Sequence, residues 1–228
     1  MSVATLSLNL GAGASPAHVS IEQLVIAGWT GRDKRAVEEH VRELEALGVK
    51  RPATTPIFYR VAVSRLTLAD SIQASGTRSS GEAELVLLQS AGRLWLGVGS
   101  DHTDREVETY GVTVSKQMCD KPIAAQFWAF DEVKSHWDAL QLRSRIEEHG
   151  KQVLYQDGVA AAFLEPRELI RGYAHGDSLP ENTLMFCGTL AAKGGVRAAR
   201  RFAFELEDPV LKRKIEHHYH TETLAIAG

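Results

Sequence analysis

Apolar residues alternate with polar ones along many short stretches of this chain and recur at helical spacing along few. Thr5 to Leu10 alternates as an antiparallel strand does, Gly11 to Pro16 turns the chain, and Leu24 to Ala27 reads as a buried strand ending at Gly28. Further strands are expected over Ile57 to Val63, Glu82 to Leu88, Leu94 to Val98, Val107 to Val114, Thr183 to Cys187 and Phe202 to Leu206. Trp137 to Glu148 followed by Lys151 to Tyr155 reads as a strand and hairpin, and Gln89 to Arg93 as a tight turn. Asp33 to Leu47 is the clearest helix: Val37, Val41, Leu44 and Leu47 fall on one stripe, Asp33 is placed to cap the start, and Gly48 stops it. A shorter helix opens at Pro166 and runs to Tyr173, and Pro52 to Pro56 is a link. The pattern predicts an α+β protein dominated by strands.

Composition narrows the class. With 228 residues and 44% hydrophobic content the chain is long enough for one well-buried domain and short for two. A net charge of -3, with basic stretches only at 197–201 and 212–214 and acids flanking both, argues against nucleic acid as a partner. No apolar window reaches bilayer length and the N-terminus lacks a secretory pattern, so a cytoplasmic protein with no membrane partner is expected. Cys119 and Cys187 lack metal-type spacing, which fits a reducing compartment. Gly11-Ala12-Gly13 lacks the third glycine and following helix of a dinucleotide loop and reads as a turn.

Candidate chemistry centres on acids. In an extended strand Glu82 and Glu84 project to the same side, and a hairpin return brings Asp101 alongside. Like charges so placed either remain in water or are neutralised by a cation, which three carboxylates would hold as an all-oxygen metal site. The spacing alone favours a solvated acidic face. His217, His218 and His220 suit zinc, nickel or copper as residue types and could bind such ions adventitiously. His102 turns away from Asp101 by strand alternation and reads as structural.

The order and wording of these pieces shift the balance, because the chain resembles the C-terminal catalytic domain of the fumarylacetoacetate hydrolase superfamily, and within it a DUF2848-like branch, from about the strand before Gly28 to about Tyr219. That superfamily is built on Glu-x-Glu plus a downstream Asp holding magnesium, manganese or calcium, which fall here on Glu82, Glu84 and Asp101. Its lid helix bears His-x-x-Glu, matched by His40 and Glu43, and its Phe-x-Lys-Pro strand is matched by Phe58-Tyr59-Arg60. Arg105-Glu106 stands for its Arg-Asp, Lys116 for a lysine near the metal, and Gly188-Thr189 for the substrate-contacting Thr-Gly-Thr-Pro strand end, with Leu190 replacing the proline.

The resemblance implies a single domain over 1–228 with a mixed rolled β-structure: N-terminal strands and lid helix in 1–50, metal-binding β-roll in 51–228. It further implies a Mg2+ or Mn2+ enzyme (Ca2+ also fits), a homodimer, and a small 2-oxo acid substrate. His40 and Glu43, sharing a helix face, would be a general-base pair, Lys116 a catalytic point charge, and Arg60, Arg105, Gly188 and Thr189 substrate contacts. Hydrolysis of a carbon-carbon bond in an acylpyruvate-like compound is the leading expectation. Decarboxylation or tautomerisation of an oxaloacetate-like diacid, dehydration of a sugar-derived 2-oxo acid, and non-catalytic metal or ligand binding are the alternatives.

Overall fold

The alternating stretches assemble into two mixed sheets packed face to face, seen in a computed structural model that describes residues 2–46 and 51–227 and, at 40, 43, 44 and 46, the backbone only. The strands of the two sheets are β1 (Ala4–Leu10), β2 (Ala17–Ile21), β3 (Gln23–Gly28), β4 (Ile57–Val61), β5 (Ser71–Ser75), β6 (Ala83–Ser90), β7 (Arg93–Ser100), β8 (Gln126–Ala129), β9 (Gln141–Glu148), β10 (Lys151–Val159), β11 (Thr183–Thr189), β12 (Arg201–Asp208) and β13 (Arg213–Leu224). Among the described residues, eight strands form a curled sheet in the order β2-β1-β8-β7-β6-β11-β3-β4, and five form a second in the order β10-β9-β12-β13-β5. The protein is mainly β, as its pattern predicts.

β6 shows why the large sheet must be covered on both sides. All of Ala83–Ser90 is buried, with Leu85 and Leu87 joining Phe202, Phe204, Leu206 and Tyr219 of the small sheet in one core. Val86 and Leu88 face the other way, into a core with Leu24, Ile26, Tyr59, Phe127 and Phe186 inside the curl. Burial on both faces turns a strand into a continuous apolar run instead of an alternating one. β6 returns as β7 through a two-residue turn in which Ala91 (φ 53°) and Gly92 (φ 69°) are both left-handed and Ser90 pairs Arg93. That is the turn whose twist matches the strands on either side.

Helix α1 (Lys34–Ala46) forms as expected, with Val41 of the stripe buried and Val37 half-buried, and Asp33 caps it: its Oδ1 accepts from the amides of Arg35 (2.9 Å) and Ala36 (3.2 Å). The expected stop at Leu47 and Gly48 lies outside the described residues.

One expectation is corrected. Val107 to Val114 is not a strand but the greater part of two short helices, α2 (Arg105–Tyr110) and α3 (Val112–Met118). Its β-branched residues favour strand, but Asp104 accepts from the amides of Glu106 (3.0 Å) and Val107 (2.9 Å), with Glu106 and Glu108 in the first turn. An N-cap with acids behind it outweighs a weak propensity. The strand expected from Trp137 begins only at Gln141, the preceding turn being 3-10 helical. The segment Pro166–Ala174, α4, is helical as its proline start implies.

Candidate active site

The β6–β7 hairpin sets the geometry of the acids. Its register pairs Ala83 with Ser100 and Glu84 with Gly99, and the amide of Asp101 donates to the carbonyl of Glu82 at 2.9 Å, so the three acids meet at one end of the hairpin. Glu82 and Glu84 continue the row of Val86 and Leu88. Oxygens of Glu82, Glu84 and Asp101 lie within 4.8 Å of one another, and Asp101 is fully buried with Glu84 nearly so (0% and 2% exposed). A solvated acidic strand face is therefore excluded.

Three cations hold the cluster in the interior. Lys116, on α3, donates to Asp101 Oδ2 and stands 3.8 Å from Glu82 Oε2. Lys121 Nζ is fully buried, 3.2 Å from Asp101 Oδ1, and donates to the carbonyls of His102 (2.6 Å) and Cys119 (3.0 Å). Arg105 reaches Glu82 Oε1 at 3.1 Å, Glu108 Oε2 at 3.0 Å and Ser80 Oγ at 2.7 Å.

The acids divide by environment. Burial pushes Asp101 up, but Lys116 and Lys121 outweigh it and hold its carboxyl below the usual range. Burial, then the charge of Asp101, pushes Glu84 well above its ordinary value, against the pull of Lys116 and of the Gly188 amide. Lys116 runs the other way, since Asp101, Glu82 and Glu84 outweigh its burial and hold it charged. A buried carboxylate whose ionisation its neighbours oppose is one that added positive charge would stabilise. With an all-oxygen donor set, the residues present fit a hard divalent cation such as Mg2+ or Mn2+ better than zinc.

Around the cluster opens a cavity of about 880 Å³, lined by Glu82, Glu84, Arg105, Lys116, Gly188 and Thr189 among others. Gly188 has φ +99°, and a Cβ there would lie 1.8 Å from Thr30 Oγ1, so only glycine brings its amide to Glu84 Oε2 (2.6 Å). Thr189 Oγ1 donates to the carbonyl of Ala83 (2.9 Å) and accepts from Gln156 Nε2 (2.7 Å).

Arg60 is not brought to this place: it is exposed and donates to Tyr173 Oη at 3.1 Å. Strand alternation puts its neighbour Tyr59 on the cavity wall instead. The side chains of His40 and Glu43 lie outside those described, though the start of α1, at Ala36 and Val37, lines the cavity. His102 is structural, its ring nitrogens 2.8 Å from Tyr219 Oη and 2.8 Å from Ser79 Oγ. His218 and His220 are exposed and His217 half-buried.

Sequence reasoning missed Lys121 and Gln156. Nothing in the residues around Lys121 marks it, and only the fold shows it to be buried. Gln156 is buried and joins the Ala83 amide (2.9 Å) to Thr189 and the Leu190 carbonyl (2.7 Å).

Solved structures place this architecture in a class, that of the fumarylacetoacetate hydrolase-type fold. It is similar to a protein described as a fumarylacetoacetate isomerase/hydrolase from Oleispira antarctica, with TM-score 0.68, 18% identity and coverage of 95% of this chain and 100% of that one. A 2-keto-3-deoxy-D-arabinonate dehydratase complexed with magnesium and 2,5-dioxopentanoate gives TM-score 0.62 and 14% identity over 90% and 74% of the two chains. Fumarylpyruvate hydrolase from Pseudomonas aeruginosa, in complex with Mn2+ and pyruvate, gives TM-score 0.57 and 13% identity over 96% and 97%. No curated protein matches the chain. The particular family is shown by its model, described as protein of unknown function DUF2848, which matches residues 27–219: the chain belongs to the DUF2848 family.

Proposed function

We propose that this protein is a divalent-cation-dependent enzyme that hydrolyses a carbon-carbon bond in an acylpyruvate-like 2-oxo acid. The observation that carries the reading is the buried Glu82–Glu84–Asp101 cluster opening into a cavity beside Lys116. Mg2+ or Mn2+ held by the three carboxylates would supply Lewis-acid stabilisation of the negative charge that develops on the 2-oxo acid. Lys116, held charged by its acidic neighbours, adds a point charge to the same end of the substrate. Arg105 positions Glu82 through its ion pair, and the Gly188 amide positions Glu84. His40 is assigned as the base that takes a proton from water, with Glu43 orienting it. Water adds to the distal carbonyl, the bond to the methylene carbon breaks with its electron pair passing to the pyruvate half, and that half takes up a proton, giving an acid and pyruvate.

A fold shared by hydrolases and a dehydratase does not choose between reactions, so the test is a panel. Metal-stripped protein is assayed with and without Mg2+ or Mn2+ on acylpyruvates, oxaloacetate and sugar-derived 2-oxo acids, beside Glu84→Ala. The expected result is metal-dependent release of pyruvate from acylpyruvates, lowered at least about 100-fold in Glu84→Ala, an effect of about 2.7 kcal/mol on the barrier. Turnover confined to oxaloacetate or sugar acids would replace the hydrolase reading with a lyase one, and metal-dependent thermal stabilisation without any turnover would leave a binding protein.

A further inference from the structure

The charged residues of the cavity wall are Arg32, Asp33, Glu82, Glu84, Arg105, Glu108 and Lys116. Each of the three cations is already engaged. Lys116 serves Asp101 and Glu82, and Arg105 serves Glu82, Glu108 and Ser80. Arg32 is turned elsewhere: Nη1 and Nη2 pair with the two carboxylate oxygens of Asp138 at 3.0 and 2.7 Å, and Nε donates to the carbonyl of Phe163 at 2.9 Å. Backbone amides at the start of α1 would be a natural seat for a carboxylate. Those of Arg35 and Ala36 are occupied by the carboxylate of Asp33. Once a 2-oxo acid end is seated at the Glu82–Glu84–Asp101 cluster, the rest of the wall is mainly apolar, with Trp29, Val37, Val112, Phe163, Leu190 and Val196 beside several alanines, and it includes the uncharged polar side chains of Thr30 and Tyr59.

From this we infer that the acyl half of the substrate is apolar, an aryl or alkyl group of several carbons, and that a second carboxylate is rejected; the inference rests on the hydrolase reading. Among the described residues no uncommitted cation lines the cavity to receive such a carboxylate. One placed there would meet the like charges of Asp33 and Glu108 with no unpaired cation to offset them, whereas an aryl or alkyl group gains by leaving water against Trp29, Phe163 and Leu190. The specificity so described is negative as much as positive.

The test uses the full-length protein with saturating Mg2+. Benzoylpyruvate and hexanoylpyruvate are compared with fumarylpyruvate and succinylpyruvate by kcat/KM, and Val196→Arg, at an exposed position on the cavity rim, adds a cation without disturbing the core. The expected result is at least a tenfold preference for the apolar acyl groups, shrinking at least threefold in Val196→Arg. Equal or faster cleavage of the diacids overturns the inference and leaves the hydrolase reading standing. Should none of the four be cleaved, the hydrolase reading fails, and thermal shifts with phenylpyruvate and 2-oxoglutarate decide what survives of the inference, the pocket's preference for an apolar group over a second carboxylate. A larger shift with phenylpyruvate upholds it, and an equal or larger shift with 2-oxoglutarate, or none with either, overturns it.

Discussion

Around Asp101, the carboxylates of Glu82, Glu84 and Asp101 face Lys116, Lys121 and Arg105. On the outer face of the five-stranded sheet, Glu205, Glu207 and Asp157 face Arg143, Arg145 and Lys214, with cross-strand contacts of 3.2 Å from Arg143 to Asp157 and 3.0 Å from Arg145 to Glu205. The parts are alike in kind and number. Their surroundings are not: Asp101 and Lys121 are fully buried, while Glu207, Arg145 and Lys214 keep 37%, 38% and 41% of their side-chain surface in water. At equal separation a charge pair interacts about fourfold more strongly near a protein surface than in bulk water, and more strongly again in the interior. Water therefore screens the outer network around all but the Glu205 carboxylate, which is 9% exposed and ringed by Arg143, Arg145 and Lys214, whereas the inner one must be nearly matched charge for charge and responds to any cation added or removed. The lesson is that acids on a strand become a site when both faces of that strand are covered.

The largest effect expected from this contrast is that of Asp101→Ala. The substitution leaves Lys121 buried with only carbonyl partners and takes from Lys116 its hydrogen-bonded carboxylate, with Glu82 Oε2 at 3.8 Å. Removing one partner from a buried pair costs about 3–5 kcal/mol. Urea unfolding in the presence of a chelator should show a loss of that size with no contribution from metal. A loss under about 1 kcal/mol would mean that water reaches the cluster and that the contrast with the outer sheet face is false.

Next in size is a pH effect carried by His102. Burial pushes its imidazole down to about 3, with the charges of Lys121 and Arg105 adding to the shift. Below 6.5 the unfolded chain takes a proton that the folded state refuses, so folding loses about 1.4 kcal/mol for each pH unit as pH falls towards about 3. Glu84 acts oppositely in metal-free protein: its raised folded value makes stability increase as pH falls towards the ordinary carboxylate range. Asp101, held low, adds a loss only below its own ordinary value of 3.8. Subtracting the stability curve of His102→Gln from that of the native protein isolates the histidine, and the difference between pH 6 and pH 4 should slope downward with acid. A flat difference would show that His102 is protonated in the folded state.

The same contrast explains what was legible in the sequence. Period-two patterns and turn residues marked most strands of the large sheet, and the Asp33 cap marked α1, because those signals are local. Glu82, Glu84 and Asp101 were legible as a trio from one hairpin, but their burial was not, since it depends on β8, β11 and the second sheet. Strands β2, β5 and β8 gave no reading, and β13, Arg213–Leu224, is too polar on its outer face to stand out as a strand by its own pattern, being expected there only from the family resemblance. Val107 to Val114 was misread because β-branched residues outnumber the single capping aspartate that decides the matter. Lys121 could not be found at all: a lysine earns no attention in sequence unless its carboxylate is known to be buried beside it.

The smallest expected effect is on the outer network, through Glu207→Ala. Glu207 contacts Arg143, which also meets Asp157, Glu205 and Gln141 and so keeps its partners when Glu207 is lost. With Glu207 more than a third exposed, the change should cost less than about 1 kcal/mol in urea unfolding and fade further in high salt, where surface charges are screened. Set beside Asp101→Ala, this gives the ratio that measures the contrast. A cost above about 2 kcal/mol, insensitive to salt, would mean that the outer face is itself out of water in solution, as it would be if a second copy of the chain covered it.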